Sequence, residues 1–160
     1  MPTGTGFCYL PGMPIPILLG ADHAGFELKE RLKKTLERLG VAYQDLGTHS
    51  TLPVDYADFA HPVAERVGRG ESERGLLVCG SGQGMAMTAN RHRGVRAALP
   101  CDEESARISR EHNDANVLAL GGRTLDHALA ERILEVWLAT PFAGGRHERR
   151  VRKIDAPDAG

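Results

Sequence analysis

Short apolar runs alternate with helix-like stretches along most of this chain, and no other feature constrains the fold as strongly. Five such runs predict strands, and none shows strict polar–apolar alternation: residues 15–19, 41–46, 74–79, 95–99 and 117–120. Runs of this kind are typical of strands that are covered on both faces. The sequence therefore predicts a sheet that is buried on both faces.

Between the runs, apolar residues recur at helical spacing, and glycines end several segments. The predicted helices cover the segment around 28–39, residues 55–67, 84–91 and 103–111, the segment around 129–137, and residues 146–153. Alternating strands and helices connect by right-handed crossovers. The pattern thus predicts an α/β fold, a Rossmann-like three-layer αβα sandwich with a five-stranded parallel sheet. Ligands of such sheets bind beyond the carboxyl ends of the strands.

Length and composition indicate an ordinary globular protein. The 160 residues suggest one domain, which we place at residues 15–160. Residues 1–14 contain several glycines and prolines and lack the basic start of a secretory signal, so a flexible extension is expected. A net charge of −1 favours neither nucleic acid nor a membrane as a partner. Cys8, Cys79 and Cys101 are widely spaced, which predicts free thiols in a reducing, cytoplasmic setting.

Residues 76–84, LLVCGSGQG, are chemically the most specific segment. The apolar run ends in Cys79, and glycine follows at every second position, as Gly80, Gly82 and Gly84. Glycines let the backbone turn tightly and approach a ligand, and the loop amides can form a nest for negative charge. A thiol beside such a nest could act as a base or a nucleophile. The alternative is a buried cysteine that packs as a small hydrophobic residue before a strand–helix turn.

Polar residues also lie close to other predicted strands. Asp22 and His23 follow the first strand, where a histidine suits acid–base work or anion binding, although both could simply belong to the turn. Arg123 follows the fifth strand. Residues 112–116, His-Asn-Asp-Ala-Asn, precede that strand and form either a helix end or part of a site.

The basic segment near the C-terminus has two interpretations. Arg146 and Arg150 lie four residues apart, so a helix would present both on one face to a phosphate. The alternative is a solvated tail or one that attracts nucleic acid nonspecifically. The lack of interleaved aromatic residues argues against nucleic acid.

Other ligand-binding motifs match poorly. Met85 stands where the fingerprint G-x-G-x-x-G needs its third glycine, although Asp102 ends the following strand as a dinucleotide site would require. The Gly-Lys-Ser/Thr of a phosphate-binding P-loop does not follow. Histidines and carboxylates show no metal-ligand spacing, so neither a metal nor a cofactor is predicted.

Taken together, these motifs resemble the ribose-5-phosphate isomerase B family, which includes galactose-6-phosphate isomerases. The likeness spans residues 15–154 and rests on segments in the family's order: GADHAGF at 20–26, DY at 55–56, CGSGQG at 79–84, Asn90, HNDANVL at 112–118, GGR at 121–123, and GRH at 145–147 with Arg150. The resemblance implies an aldose–ketose isomerase, typically of ribose 5-phosphate and ribulose 5-phosphate, that uses no metal.

The resemblance also implies roles for individual residues. Cys79 would be the base that moves a proton between C1 and C2, Ser81 would help to pass protons at the substrate oxygens, and His112 would open the furanose ring. The family branch that lacks this cysteine has a glutamate base where Met85 stands, so the thiol branch is the better match. Residues implied in substrate binding are Asp22, His23, Gly80, Gly82, Gln83, Gly84, Asn113, Arg123, Arg146 and Arg150.

In this family the site lies between two subunits. The resemblance therefore implies a homodimer, or a tetramer, in which His112 and some arginines act across the interface. It leaves open a hexose 6-phosphate of the allose or galactose type as the substrate. It also leaves open a non-catalytic sugar-phosphate or nucleotide sensor on the same fold.

Overall fold

A computed structural model describes residues 14–156, so residues 1–13 of the predicted extension lie outside the described part. Strands and helices alternate in the predicted order: β1 (Ile17–Ala21), α1 (Phe26–Arg38), β2 (Tyr43–Asp45), α2 (Tyr56–Gly68), β3 (Gly75–Cys79), α3 (Gln83–Ala89), β4 (Ala97–Ala98), α4 (Glu103–Glu111), β5 (Val117–Gly121), α5 (His127–Ala139) and α6 (Arg146–Asp155). All neighbouring strands pair in parallel, which confirms the α/β fold class.

Helices cover both faces of the sheet, and this explains why strands β1, β3 and β5 are buried along their whole length. Helices α1, α4 and α5 pack on one face around Leu28, Leu118 and Trp137. Helices α2 and α3 pack on the other face around Val63 and Met85. Burying one such side chain fully contributes about 1.5–3 kcal/mol, so these two cores supply most of the driving force for folding.

The strand order places three carboxyl ends side by side. The sheet runs β2-β1-β3-β5-β4, so the chain reverses its direction across the sheet after β2 and again after β4. Ala21 is in register with Val78, and Cys79 is in register with Gly121. Strands β1, β3 and β5 therefore end at one level, at the kind of reversal point where α/β proteins bind ligands.

Three strand predictions were wrong in extent. Strand β2 covers Tyr43–Asp45, whereas residues 41–46 were predicted. Strand β1 covers residues 17–21 instead of 15–19, because Pro16 has no amide hydrogen for the ladder. Strand β4 is reduced to two residues, whereas residues 95–99 were predicted. The amide of Val95 closes a turn onto the carbonyl of His92 at 3.2 Å. The amide of Arg96 donates to the side chain of Asn116 at 2.7 Å, and Pro100 again lacks an amide hydrogen.

Candidate active site

Three loops meet at the carboxyl edge of the sheet, directly after β1, β3 and β5. The amide of Gly122 donates to the carbonyl of Cys79 at 2.8 Å, and the amide of Arg123 donates to the carbonyl of Gly80 at 2.9 Å. On the other side, the amide of Asp22 donates to the carbonyl of Val78 at 3.2 Å. These backbone bonds bring together the predicted residues that follow the three strands.

Cys79 is the last residue of β3, and its side chain is buried among the residues of α2 and α3, with 4% of its surface exposed. Its Sγ accepts the amide hydrogen of Gly82 at 3.1 Å. Gly82 has a φ of +77°, and a Cβ at this position would lie 2.4 Å from a methyl of Leu99. Only glycine is compatible with both conditions. The amide that bonds the sulfur therefore belongs to Gly82, and any other residue at this position would force its surroundings to rearrange.

The rest of the glycine loop offers polar groups to a ligand. Ser81 and Gln83 are exposed, and the amide of Gln83 lies 3.4 Å from Ser81 Oγ. Within residues 14–156, the amides of Gly80 and Ser81 have no hydrogen-bond acceptor. Such amides suit a developing negative charge on oxygen. The loop chemistry thus agrees with the predicted anion nest.

Tyr56 constrains the far end of the same loop. A Cβ on Gly84 would lie 2.6 Å from the Tyr56 ring, so the bare glycine backbone allows the ring to pack there. The side chain of this tyrosine is still half exposed at the carboxyl edge. The sequence offered no signal for this contact beyond the presence of Tyr56 in a shared motif.

Asp22 and His23 are both tied to the backbone. Asp22 is buried, and its Oδ1 accepts the amide hydrogen of Gly25 at 2.9 Å, so one carboxylate oxygen orients the turn as the simpler interpretation expects. His23 Nδ1 lies 3.1 Å from the amide nitrogen and 3.2 Å from the carbonyl oxygen of Val54. Its Nε2 makes no hydrogen bond to any residue between 14 and 156. His23 also lines a cavity of about 390 Å³ with Val54, Asp55 and neighbouring residues.

Arg123 completes the group at the carboxyl edge. Its side chain is exposed, and its Cδ atom lies 3.6 Å from where a Cβ on Gly80 would stand. The guanidinium is thus carried beside the glycine loop by the short turn after β5. An exposed arginine in that position can contact an anionic substrate.

Four other predicted residues lie at the opposite edge of the sheet: His112, Asn113, Arg146 and Arg150. Helix α4 runs back from the carboxyl end of β4 to the amino end of β5, so the residues between α4 and β5 lie at the amino edge. A five-residue strand spans about 16 Å, which is too far for direct contact with the carboxyl edge. One chain therefore holds two separate halves of the predicted site.

The polar residues at 112–116 do not all have the same surroundings: some are bonded within the fold, and one is exposed. Asp114, with a φ of 48°, pairs with Arg110 at 2.9 Å, and the side chain of Asn116 bonds the backbone of Gly94 and Arg96. These two residues are structural, as the helix-end interpretation proposed. In contrast, Asn113 is exposed and makes no hydrogen bond to any described residue.

Helix α6 brings its own polar residues to the amino edge. Arg146 and Arg150 are both exposed and share one face of the helix. Between them, His147 is buried and its ring stacks on His112, with centroids 4.4 Å apart and planes 11° from parallel. Burial lowers the pKa of His147, and the neighbouring His112, Arg146 and Arg150 lower it further. Sequence reasoning assigned no role to His147.

Asp102 has a local explanation that removes the main support for a dinucleotide site. It is the N-cap of α4, and its Oδ1 accepts from both the amide and the hydroxyl of Ser105 at 2.6 Å. These hydrogen bonds lower the pKa of the carboxyl group. A capping box uses the carboxylate that a bound ribose would need.

Three further findings concern a cavity, metal binding and membrane-spanning helices. A cavity of about 670 Å³ lies at the amino edge between the loop before β4 and the end of α6, with Asn113 on its wall. Among residues 14–156, no three histidine, cysteine or acidic side chains are arranged to hold a metal ion. No helix in the described part of the chain is long and apolar enough to cross a membrane.

Comparisons with known proteins agree with these features. A family model described as Ribose/Galactose Isomerase matches residues 17–154, nearly all of the described chain. The chain belongs to the ribose/galactose isomerase family. Ribose-5-phosphate isomerase B of Escherichia coli is 43% identical over 140 residues, which cover 88% of this chain and 94% of that protein.

Solved structures of ribose-5-phosphate isomerase B share the fold. The Thermotoga maritima structure is 48% identical with a TM-score of 0.85, covering 89% of this chain and 99% of that one. The Mycoplasma genitalium structure, which has bound ribulose-5-phosphate, is 36% identical with a TM-score of 0.87, covering 91% and 97%. The family resemblance is thereby confirmed, and this member of the ribose/galactose isomerase family is an aldose–ketose isomerase that acts on a sugar phosphate.

Proposed function

We propose that this isomerase interconverts ribose 5-phosphate and ribulose 5-phosphate through an enediolate, without a metal. The observation that carries the proposal is the hydrogen bond from the Gly82 amide to Cys79 Sγ, 3.1 Å long, inside a loop with two unused amides. It orients the sulfur beside donors for a developing oxyanion, and enediolate chemistry requires a base and such donors close together. The names of the relatives supply the substrate class.

The proposed reaction starts with ring opening. His112 protonates the ring oxygen while a water molecule accepts the proton of the C1 hydroxyl, and this yields the open-chain aldehyde. Cys79, as the thiolate, then removes the proton from C2, and the carbonyl oxygen at C1 becomes the enediolate oxygen. The loop amides stabilise that oxygen. The proton returns to C1, and Ser81 transfers the hydroxyl proton from O2 to O1, which leaves the ketone at C2.

Substrate binding is assigned to both halves of the site. Arg146, Arg150 and His23 are proposed to bind the phosphate, with Arg123 as a further contact. Asp22 and Asn113 are proposed to bind sugar hydroxyls, Asp22 through the oxygen that does not bond Gly25. Because the halves lie at opposite edges of one sheet, we propose a homodimer in which each site combines the carboxyl edge of one chain with the amino edge of another.

An isomerisation assay on the purified full chain, in the presence of a chelator, tests the activity. Ribose 5-phosphate and ribulose 5-phosphate should interconvert, and allose 6-phosphate and galactose 6-phosphate should react more slowly. Faster turnover of a hexose 6-phosphate would reassign the substrate. Binding without turnover of any of the four would instead favour the sugar-phosphate sensor. Activity that disappears with the chelator and returns with a metal would contradict the metal-independent mechanism.

Replacement of the proposed base gives the sharpest test of mechanism. Cys79→Ala should lower kcat by about 10²–10⁴-fold, because the variant loses the proton-transfer group, while substrate affinity changes little. Cys101→Ala is the matched control, since Cys101 also follows a strand but is exposed. Near-normal turnover by Cys79→Ala would remove the thiol from the mechanism.

A further inference from the structure

We propose that His147 is a positioning residue that holds the His112 imidazole in the orientation needed for ring opening. The inference rests on the proposed role of His112. The two rings lie 4.4 Å apart and within 11° of parallel, so they touch over their faces. Stacked aromatic rings prefer this type of arrangement, and it fixes the plane of a ring without occupying its nitrogens. His112 thus keeps both nitrogens for proton transfer.

His147 is the anchored member of the pair. It is only 8% exposed, and its amide donates to the carbonyl of Gly144 at 3.1 Å in the first turn of α6. The far end of α6 is held by an ion pair between Asp155 and Arg96 at 2.8 Å. Just before the helix, the amide of Ala143 donates to the carbonyl of Glu111 at 3.0 Å. Helix α6 is therefore held at both of its ends, at its start against the end of α4 and at its far end against the loop before β4.

His112 has little else to orient it. It follows the last residue of α4, and 37% of its side-chain surface is exposed. Glu111 Oε1 lies 4.0 Å from its Nε2, which is too far for a hydrogen bond. Without the stack, rotation about the side-chain bonds would be limited mainly by solvent. The His147 ring supplies the missing constraint.

The same turn of α6 carries the proposed phosphate ligands. Arg146 precedes His147 directly, and Arg150 lies one turn later on the exposed face. Burial and the neighbouring cations lower the pKa of His147, so a neutral ring faces His112 at neutral pH. A phosphate bound by the arginines would stabilise the turn that carries His147. Phosphate binding and the orientation of His112 are in this way linked through one helical turn.

A double-mutant cycle on kcat with ribose 5-phosphate tests the inference. His147→Ala should lower kcat roughly ten- to hundredfold, because a misoriented group transfers protons poorly. In a His112→Asn background the same change should lower kcat less than about twofold, because the imidazole that His147 positions is no longer there. The control is Val151→Ala, which removes the other buried side chain of α6 and should reduce kcat by the same factor in both backgrounds. Equal losses for His147→Ala in the two backgrounds would overturn the proposal.

Two further measurements keep the test decisive. If His147→Ala does not fold, His147→Phe should retain most activity and His147→Leu should not, since only phenylalanine keeps a flat ring. Equal activity of these two variants would contradict the proposal.

In proton NMR spectra, the ring resonances of His112 should move downfield in His147→Leu, because the aromatic ring that shields them is gone. Unchanged resonances would overturn the stack. Normal kcat in His112→Asn would instead refute the proposed role of His112 in ring opening, and the resonances would still report on the stack.

Discussion

Cys79 and Cys101 lie at or just after the carboxyl end of a strand, but their surroundings differ. Cys79 is buried and its sulfur accepts the amide of Gly82, whereas Cys101 is exposed, with its amide 3.2 Å from Ser105 Oγ. The first arrangement orients the sulfur toward a loop of donors. The second leaves the sulfur in solvent. This contrast is the physical reason for assigning the base to Cys79 alone.

His112 provides a prediction at the same scale. His112→Asn should lower kcat with ribose 5-phosphate by about 10²-fold or more, because a general acid–base group is lost. The effect on kcat with ribulose 5-phosphate should be smaller, since the hydroxyl that would close a furanose ring in this ketose carries the phosphate. Initial rates at saturating substrate in both directions provide the comparison. Equal losses in the two directions would indicate a general role in binding or folding.

At the scale of elements, α6 combines two tasks on two faces. Its buried face, formed by His147 and Val151, packs against the protein, while Arg146 and Arg150 are exposed on another. The helical spacing that the sequence suggested is therefore real. A substitution at Arg150 distinguishes phosphate binding by the exposed face from simple solvation.

Arg150→Ala should raise KM for ribose 5-phosphate and the inhibition constant of inorganic phosphate roughly ten- to hundredfold, because a charge-assisted hydrogen bond is lost. The matched control is Arg149→Ala, an exposed arginine at the next position on the same helix. It should leave both constants nearly unchanged. Equal inhibition constants for wild type and Arg150→Ala would exclude this arginine from the site.

Helix α1 and strand β2 are joined by a buried ion pair. Lys29 is fully buried, and its Nζ lies 2.5 Å from Asp45 Oδ2, which Lys33 also contacts at 3.0 Å. Burial alone would raise the pKa of Asp45, but hydrogen bonds from Lys29, the Gly47 amide and Lys33 outweigh it and lower the pKa. The ionised carboxylate therefore stabilises the fold at neutral pH.

Asp45→Asn should reduce the free energy of unfolding by about 3 kcal/mol at pH 7, since it leaves Lys29 buried without its main partner. The difference from wild type should shrink as the pH falls below about 4, because the wild-type carboxylate then also becomes protonated. Denaturant titrations at several pH values measure this. Glu30→Gln, at a more exposed partner of Lys29, is the control and should have a smaller effect. A difference that is independent of pH would contradict the ion-pair explanation.

At the scale of the whole molecule, the decisive feature is that the proposed site is divided between the two edges of one sheet. Cys79 and its loop lie at the carboxyl edge, and His112 lies at the amino edge. No rearrangement of side chains can close a gap of about 16 Å. A second copy of the chain offers the simplest way to complete the site, because a twofold axis can bring opposite edges together twice.

Mixing two inactive variants tests this arrangement. Cys79→Ala and His112→Asn proteins, unfolded together and refolded at equal amounts, should recover about one quarter of the wild-type activity. Random pairing makes about half of the dimers mixed, and each mixed dimer has one complete site. Each variant refolded alone is the control. If both residues acted within one chain, the mixture would remain inactive.

The sequence by itself was sufficient for the fold class and for most of the candidate residues. Apolar runs and helical periodicity are local properties, so the order of strands and helices followed from them, and α4 begins and ends where predicted because its cap, Asp102, is also local. Glycine spacing likewise marked the loop after β3. These features depend on neighbours along the chain, which a sequence displays directly.

Only the tertiary structure decided which of these residues meet. The stack of His147 on His112, the ring of Tyr56 against Gly84 and the shortening of β4 to two residues all depend on contacts between distant parts of the chain. The division of residues 112–116 into structural and exposed members has the same origin. Such residues meet because of the order of strands in the sheet, and the hydrophobic periodicity of the sequence does not specify that order.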